Sequence, residues 1–361
     1  MNRKSKIINI VLSIILPVAC LLFVLFFAKK SYFYDVKKVM LYTILGAITF
    51  GIFNVFFHEL GHVVFGKIKG FTLINFTFLF FSFTKLKRGF SVSLVSPNDC
   101  MGSTELVSKN TKNLKNKVKF MSLGGVFFNF IVFLSCLSVF LLTKKLPLWA
   151  FIYIGVGAPI SLYYFLSNTL PMHNYGARND GGVIWGLNHG DDESKVMLSI
   201  YAIESLLYQG KTPSEIDKEF YFNQPQLPED SLTYLSLLCA RYLYYLDIDD
   251  YENAKKVCAR FISLFTYLPR NIIKILKTYL LYSYCTFDFN EERADKTMLE
   301  IQRYLNSKND AFNLIVKLAY ILNVEKRNDV TEVFVDKCKF EADKMKISGL
   351  ERFYLKLIEK Y

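Results

Sequence analysis

His58-Glu59-Leu60-Gly61-His62 has the residue types and the spacing for metal chemistry. On a helix, positions i and i+4 are neighbours on one face, so the imidazoles of His58 and His62 point the same way. Two such histidines grip a zinc ion, and Glu59 between them is placed to activate its water as a general base. The setting sharpens the point. Residues 39–57 carry no charge and lead directly into His58. Ionisable groups at membrane depth are expensive, and where they occur they are usually functional.

A catalytic zinc usually takes three protein ligands and keeps one position open for water. Beyond His58 and His62 the chain has only two histidines, His173 and His189. His173 reads as an interfacial histidine and His189 as a loop residue. The strongest candidate for the third ligand is Asp180, in the run Asn168-Thr169-Leu170-Pro171 followed by Asn179-Asp180-Gly181-Gly182. Pro171 removes a backbone donor and breaks the regular helix. The glycines let the backbone turn tightly beside the aspartate. Irregular backbone at membrane depth is tolerated only where it is buried in protein or lines a wet cavity. A broken helix carrying a carboxylate opposite two histidines meets that condition.

These motifs resemble the site-2 protease family of intramembrane zinc metalloproteases. That family has His-Glu-x-x-His in one transmembrane helix and Asn-x-x-Pro with Asp-Gly in a later one, matched here by His58–His62, by Asn168 and Pro171, and by Asp180 and Gly181. Its Gly-x-x-x-Asn in the intervening span is matched by Gly125-Val126-Phe127-Phe128-Asn129. Val126 departs from the proline often found after that glycine, and the gap from Asn168 to Asp180 is about four residues longer than usual. The resemblance covers roughly residues 39–188. It implies zinc held by His58, His62 and Asp180, Glu59 as general base, and Asn168 and Asn129 as residues that bind or orient the substrate or reacting water.

The composition agrees with a membrane setting. Of 361 residues 52% are hydrophobic, too many for an ordinary soluble protein, and the length allows two domains. Four apolar segments are long enough to cross a bilayer: residues 7–28, 39–66, 120–143 and 146–170. The first follows Arg3, Lys4 and Lys6 but has too long an apolar core, and no small-residue cleavage site, for a signal peptide. It reads as a retained anchor. The net charge of +12 comes largely from basic residues flanking these segments, and no nucleic-acid-binding motif is present, so a nucleic-acid partner is rejected. The region 67–118 carries nine Lys and Arg and is expected to be cytoplasmic, although the loop 29–38 carries more positive charge than the N-terminus. Four spans then leave both termini inside and bring His58–His62 and the Asp180 segment to the same cytoplasmic side. The seven cysteines have no Cys-x-x-Cys spacing and read as reduced thiols.

Between the motifs, residues 71–84 are too short for a helical span. They alternate Asn75, Phe76, Thr77 and Phe78, and a turn-like 85–89 and Ser91-Val92-Ser93-Leu94 follow. This predicts an interfacial β-hairpin with Phe side chains in lipid, whose edge is open to an unwound substrate as an added strand. From residue 190 the pattern becomes helical and amphipathic. Thr212-Pro213-Ser214-Glu215 is a helix-start signal. Helices are expected near 228–246, 249–265, 269–286, 290–306, 308–325, 329–346 and 348–360, pairing at intervals of about 40 residues.

The expected fold class is therefore an all-α polytopic membrane protein, with about four transmembrane helices and a small interfacial β-hairpin. A cytoplasmic α-helical repeat domain follows it, a tetratricopeptide-like α-solenoid. The divisions are an N-terminal anchor (1–38), a metalloprotease core (39–189) and a helical-hairpin domain (190–361). The expected function is zinc-dependent endopeptidase action on membrane-anchored protein or peptide precursors near the cytoplasmic face of the cell membrane. The helical domain would meet the substrate or a cytoplasmic partner. Aromatics such as Tyr242, Tyr244, Phe261 and Tyr282 are more readily core than peptide groove. The alternative is a catalytically inactive receptor or scaffold that binds a partner through its helical repeats. A zinc protease of the prenyl-protein-processing type would need a glutamate third ligand, and only Glu105 lies between the motifs.

Overall fold

The computed structural model describes residues 35–95, 101–143, 146–174, 176–308, 310–329 and 331–361, together with Val11, Ile14, Val18 and Leu22. Apart from those four positions, the expected first span at residues 7–28 lies outside the described residues, as does most of the 1–38 division. The chain forms two compact units. One comprises residues up to Thr84, Val92–Leu106 and Asn113–Ser194, and the other Lys85–Ser91, Val107–Lys112 and Lys195–Tyr361.

Among the described residues the first unit has three helices long and apolar enough to cross a membrane, α1 (Val36–Ile68), α2 (Leu114–Leu142) and α3 (Leu148–Thr169). They match the second to fourth predicted segments. α1 starts where the Asp35 side chain accepts from the Lys37 amide at 2.9 Å, and α3 stops just before Pro171.

The distribution of polarity in these helices is inverted relative to a water-soluble bundle. Outward-facing residues include Met40, Leu41, Ile44, Ile48, Leu141 and Leu142, whereas Asn54, Asn129 and Ser161 are wholly buried. Apolar atoms turned outward and polar atoms turned inward suit a solvent of lipid.

The helices meet through small residues. A Cβ on Gly61 would lie 2.2 Å from the Gly124 carbonyl oxygen, and one on Gly124 would lie 2.3 Å from that of Gly61. Backbone therefore touches backbone where α1 crosses α2, the contact that small residues permit between membrane helices. Val39, Ile152 and Val156 pack α1 on α3, and Val132, Cys136 and Ala158 pack α2 on α3.

Between α1 and α2 the expected hairpin is a larger element. Strands β1 (Phe71–Phe78), β2 (Phe81–Lys85), β3 (Phe90–Leu94) and β4 (Gly102–Ser108) form one sheet in the order β3-β2-β1-β4. The turn expected at 85–89 joins β2 to β3. A second reversal at Leu79-Phe80 splits the predicted long strand, with Leu79 in the left-handed region at φ 53°. No Gly, Asn or Asp marks that turn, so the sequence gives no warning of it. The antiparallel register pairs Asn75 with Thr84 and Thr77 with Ser82. It gathers polar side chains on one face, where Thr77 donates to Ser82 and Ser82 to Asn75. Phe76 and Phe78 meet Phe56 of α1 edge-on at 6.1 and 5.2 Å.

After α3 come a two-residue ladder, β5 (His173–Asn174) with β6 (Ala177–Arg178), and helices α4 (Asp180–His189) and α5 (Asp192–Tyr208).

The second unit is helical. At the expected helix start, Thr212–Glu215 forms a capping box, with the Glu215 carboxylate accepting from the Thr212 amide at 2.9 Å, but it opens only a single 3-10 turn. The Asp247 carboxylate takes the Ser214 amide at 2.8 Å, and the chain leaves the helical path at Ile216. A short α6 (Glu219–Phe222) precedes α7 (Leu232–Asp247), α8 (Tyr251–Leu264), α9 (Arg270–Cys285), α10 (Glu291–Ser307), α11 (Ala311–Asn323), α12 (Thr331–Asp343) and α13 (Ser348–Ile358). The last seven fall within a few residues of their predicted positions. Ser231, Asp250, Asn290 and Asp310 cap their helices through side-chain oxygens. Sequence neighbours pack together, α7 on α8, α9 on α10 and α11 on α12, with α13 against α11 and α12. Tyr242, Tyr244, Phe261 and Tyr282 are buried, so these aromatics are packing between helices and not the lining of an open groove. Cys136, Cys239, Cys258, Cys285 and Cys338 are free thiols.

The α1–α2 crossing yields a direct test. Gly124→Ala places a methyl against a backbone carbonyl that cannot rotate aside, and should cost about 1–3 kcal/mol, read as a lowered thermal midpoint in detergent. Gly51→Ala, where an added Cβ meets nothing within 4 Å, should leave the midpoint unchanged or slightly raised. Equal midpoints for Gly124→Ala and wild type would contradict the close crossing.

Candidate functional site

His58 and His62 lie one helical turn apart on α1, and their side chains are only 14% exposed. Two features of α2 shape the space around them. Gly125 leaves the floor of the site open: a Cβ there would stand 2.6 Å from His58 Cε1 and from His62 Nε2. Four residues on, Asn129 Oδ1 lies 2.8 Å from His58 Nδ1. The Met121 carbonyl lies 3.0 Å from His62 Nδ1. An acceptor at each Nδ1 favours the proton on that nitrogen, the tautomer in which each Nε2 keeps a lone pair for a metal.

Asp180 is the first residue of α4, held there by its neighbours. Asn179 caps the helix by accepting from the Gly182 amide at 2.9 Å, and donates to the Ser167 and Leu170 carbonyls at the end of α3, both at 2.6 Å. Gly181 allows α4 to begin against that same end, since a Cβ would stand 2.0 Å from the Thr169 carbonyl oxygen. Arg178 anchors the ladder from the other side. Its guanidinium pairs with Asp191 through two bonds of 3.0 and 2.8 Å and with Glu193 at 2.6 Å. Burial alone would raise the Asp191 carboxyl; Arg178 and Ser194 outweigh it and hold the group down to about 2. Arg178 and Asn179 therefore brace the segment that presents the aspartate.

The three functional atoms converge. His58 Nε2 and His62 Nε2 are 3.2 Å apart, and Asp180 Oδ2 lies 3.1 and 3.4 Å from them. Asp180 Oδ2 is buried and receives no hydrogen bond. Three electron pairs facing one another in a dry pocket repel unless a cation sits among them. Ligand atoms around a tetrahedral zinc, with bonds of about 2.0–2.1 Å, stand about 3.3 Å from one another. The observed separations fit that donor set. Among the described residues these three are the one group of His, Cys, Asp or Glu side chains gathered closely enough to hold a metal, and Glu105 is not part of it.

Glu59 is buried beside the histidines in sequence, and one carboxylate oxygen is engaged. Thr104 of β4, at one side of the sheet, donates to Glu59 Oε2 at 2.7 Å. Asn168 lies in the last turn of α3 and donates to the Tyr164 carbonyl of its own helix at 3.0 Å. His173 faces Glu193 at 2.8 Å, and His189 ends α4 stacked on Trp185. Thr104 and Asn179 are the participants that sequence reasoning missed. Nothing in the sequence marks Thr104, and the strand expected there ended with Ser91-Val92-Ser93-Leu94. Asn179 was open to recognition as a helix cap immediately before Asp-Gly-Gly.

No protein-family model, curated protein or solved structure matches this chain.

Gly125 offers a test that depends on the imidazoles alone. Gly125→Ala should reduce stoichiometric zinc binding by isothermal titration to background while helical content by circular dichroism is retained. Normal zinc affinity in that variant would contradict the arrangement.

Proposed function

We propose that the chain is an intramembrane zinc endopeptidase of the site-2 protease type. The observation that carries this reading is the convergence of Asp180, from the start of α4, on His58 and His62 of α1, with Glu59 alongside, in a unit whose long helices turn apolar side chains outward. In this reading residues 7–28 supply a fourth span. Both termini lie in the cytoplasm and the site opens toward that face. Charge supports the division: residues 195–361 contain 24 basic and 24 acidic residues, so the whole excess of +12 belongs to the first 194. The neutral helical unit is then a cytoplasmic stack of helix hairpins, a short α-solenoid, and selects substrates or partners.

His58, His62 and Asp180 would hold the zinc ion, which when bound acidifies a water and polarises the scissile carbonyl. Glu59 takes the proton of the attacking water and delivers it to the departing amine. Thr104 holds one Glu59 oxygen by a hydrogen bond, which fixes the carboxylate plane and leaves the other oxygen to accept. Asp180, braced by Asn179 and Arg178, stays in place while substrate enters. A helical substrate must unwind first, because its carbonyls are already hydrogen-bonded. Strand β4 lies at the side of the sheet next to Glu59, so an extended segment added to its edge would bring its peptide bonds to the site.

Purified wild type, Glu59→Gln and Asp180→Ala should be compared for bound zinc and for cleavage of transmembrane peptides. Glu59→Gln is expected to keep its zinc and lose activity by about 10²-fold or more, whereas Asp180→Ala weakens both. Ser103→Pro or Glu105→Pro in β4 should slow cleavage without removing zinc. Wild type that holds no metal and cleaves nothing would return the chain to the receptor or scaffold reading.

A further inference from the structure

The two histidines differ in what fixes their protons. His62 Nδ1 faces the Met121 carbonyl, which can only accept. His58 Nδ1 faces the side chain of Asn129, whose amide carries an acceptor at one end and donors at the other. Turned by half a revolution, that amide would present its NH₂ to His58. The imidazole would then carry its proton on Nε2 and lose its ligand lone pair.

A buried chain of partners opposes this rotation. Asn129 Nδ2 donates to the Asn54 backbone carbonyl at 3.1 Å and to Asn54 Oδ1 at 3.2 Å. Asn54 is itself held, since its Nδ2 donates to the Phe50 carbonyl at 2.8 Å and to Ser161 Oγ at 2.9 Å. Ser161 gives its one hydrogen to the Gly157 carbonyl at 2.8 Å, so toward Asn54 its oxygen can only accept. Each link is polarised by a backbone carbonyl that cannot donate. Asn54, Asn129 and Ser161 come from α1, α2 and α3, and each is 0% exposed. In so dry a setting a reversed amide would leave donors facing donors and acceptors facing acceptors, at high cost.

We propose that Asn54 and Ser161 are positioning residues that act through Asn129 to hold His58 in its Nδ1–H tautomer, keeping Nε2 as a ligand atom. The consequence for metal binding rests on the zinc reading of the site, whereas the tautomer itself does not. A bare interhelical packing role predicts lost stability without a change in the imidazole.

The test is ¹⁵N NMR of the metal-free full chain in detergent, labelled at the histidine rings and carrying Asp180→Ala so that no carboxylate faces Nε2, with His58→Gln to assign the signals. Zinc titration of the chains with Asp180 intact follows. The Asp180→Ala chain should show His58 with a protonated Nδ1 and a bare Nε2. Adding Asn54→Ala leaves the residue-54 backbone carbonyl as the remaining acceptor at Asn129 Nδ2, and should give a mixture of tautomers and, with Asp180 intact, zinc affinity weaker by about tenfold. Ser161→Ala, a smaller deletion, should shift both in the same direction. A proton on Nε2 in the Asp180→Ala chain, or a tautomer unchanged by both further substitutions, would overturn the proposal. The Nδ1–H tautomer in a chain that, with Asp180 intact, binds no zinc would uphold this assignment and count against the zinc reading.

Discussion

The backbone contact between Gly61 of α1 and Gly124 of α2 is the constraint on which the site depends. With side chains at those positions the helices would stand further apart, and Met121, Gly125 and Asn129 would retreat from the histidines. At the observed separation one face of α2 performs three tasks at successive turns. Met121 orients His62, Gly125 makes room for both imidazoles, and Asn129 orients His58. Dispersion between closely packed helices is the main attraction available in lipid, where burial of apolar surface gives no advantage over contact with acyl chains. The same crossing therefore supports both the packing and the geometry of the site.

The third functional group is delivered differently. Asp180 does not sit on a membrane-length helix but at the start of a short one, on an arm that leaves α3 at Pro171. Such an arm would be a loose support without its polar bracing. Asn179 closes the end of α3 onto the start of α4, and Arg178 ties the ladder to Asp191 and Glu193. A rigid pair of histidines and a separately braced carboxylate meet at distances suited to one metal ion.

The convergence of His58, His62 and Asp180 was legible in the sequence because a metal site takes particular residue types, and helix periodicity says which of them share a face. The three long helices were legible because a bilayer demands length and continuous apolarity. The helices of the second unit were legible because Ser231, Asp250, Asn290 and Asp310 announce their starts. The sheet was only partly legible. Leu79-Phe80 turns without turn residues, and β4 alternates too weakly to stand out from a polar loop. Thr104 was invisible for that reason, since its role arises from pairing between strands distant in sequence. Asn54 was hidden by its surroundings: a lone asparagine in an apolar run reveals no partner until Asn129 and Ser161 are brought to it from other helices.

The account stands most directly on the identity of the metal's neighbours. Zinc K-edge X-ray absorption of the purified full chain reports them without reference to any substrate. The arrangement of His58, His62 and Asp180 predicts one zinc per chain, a first shell of nitrogen and oxygen at about 2.0–2.1 Å, and the outer-shell scattering of two imidazoles. Zinc bound through thiolate sulfur, or a spectrum unaltered when His58 and His62 are both replaced, would contradict it.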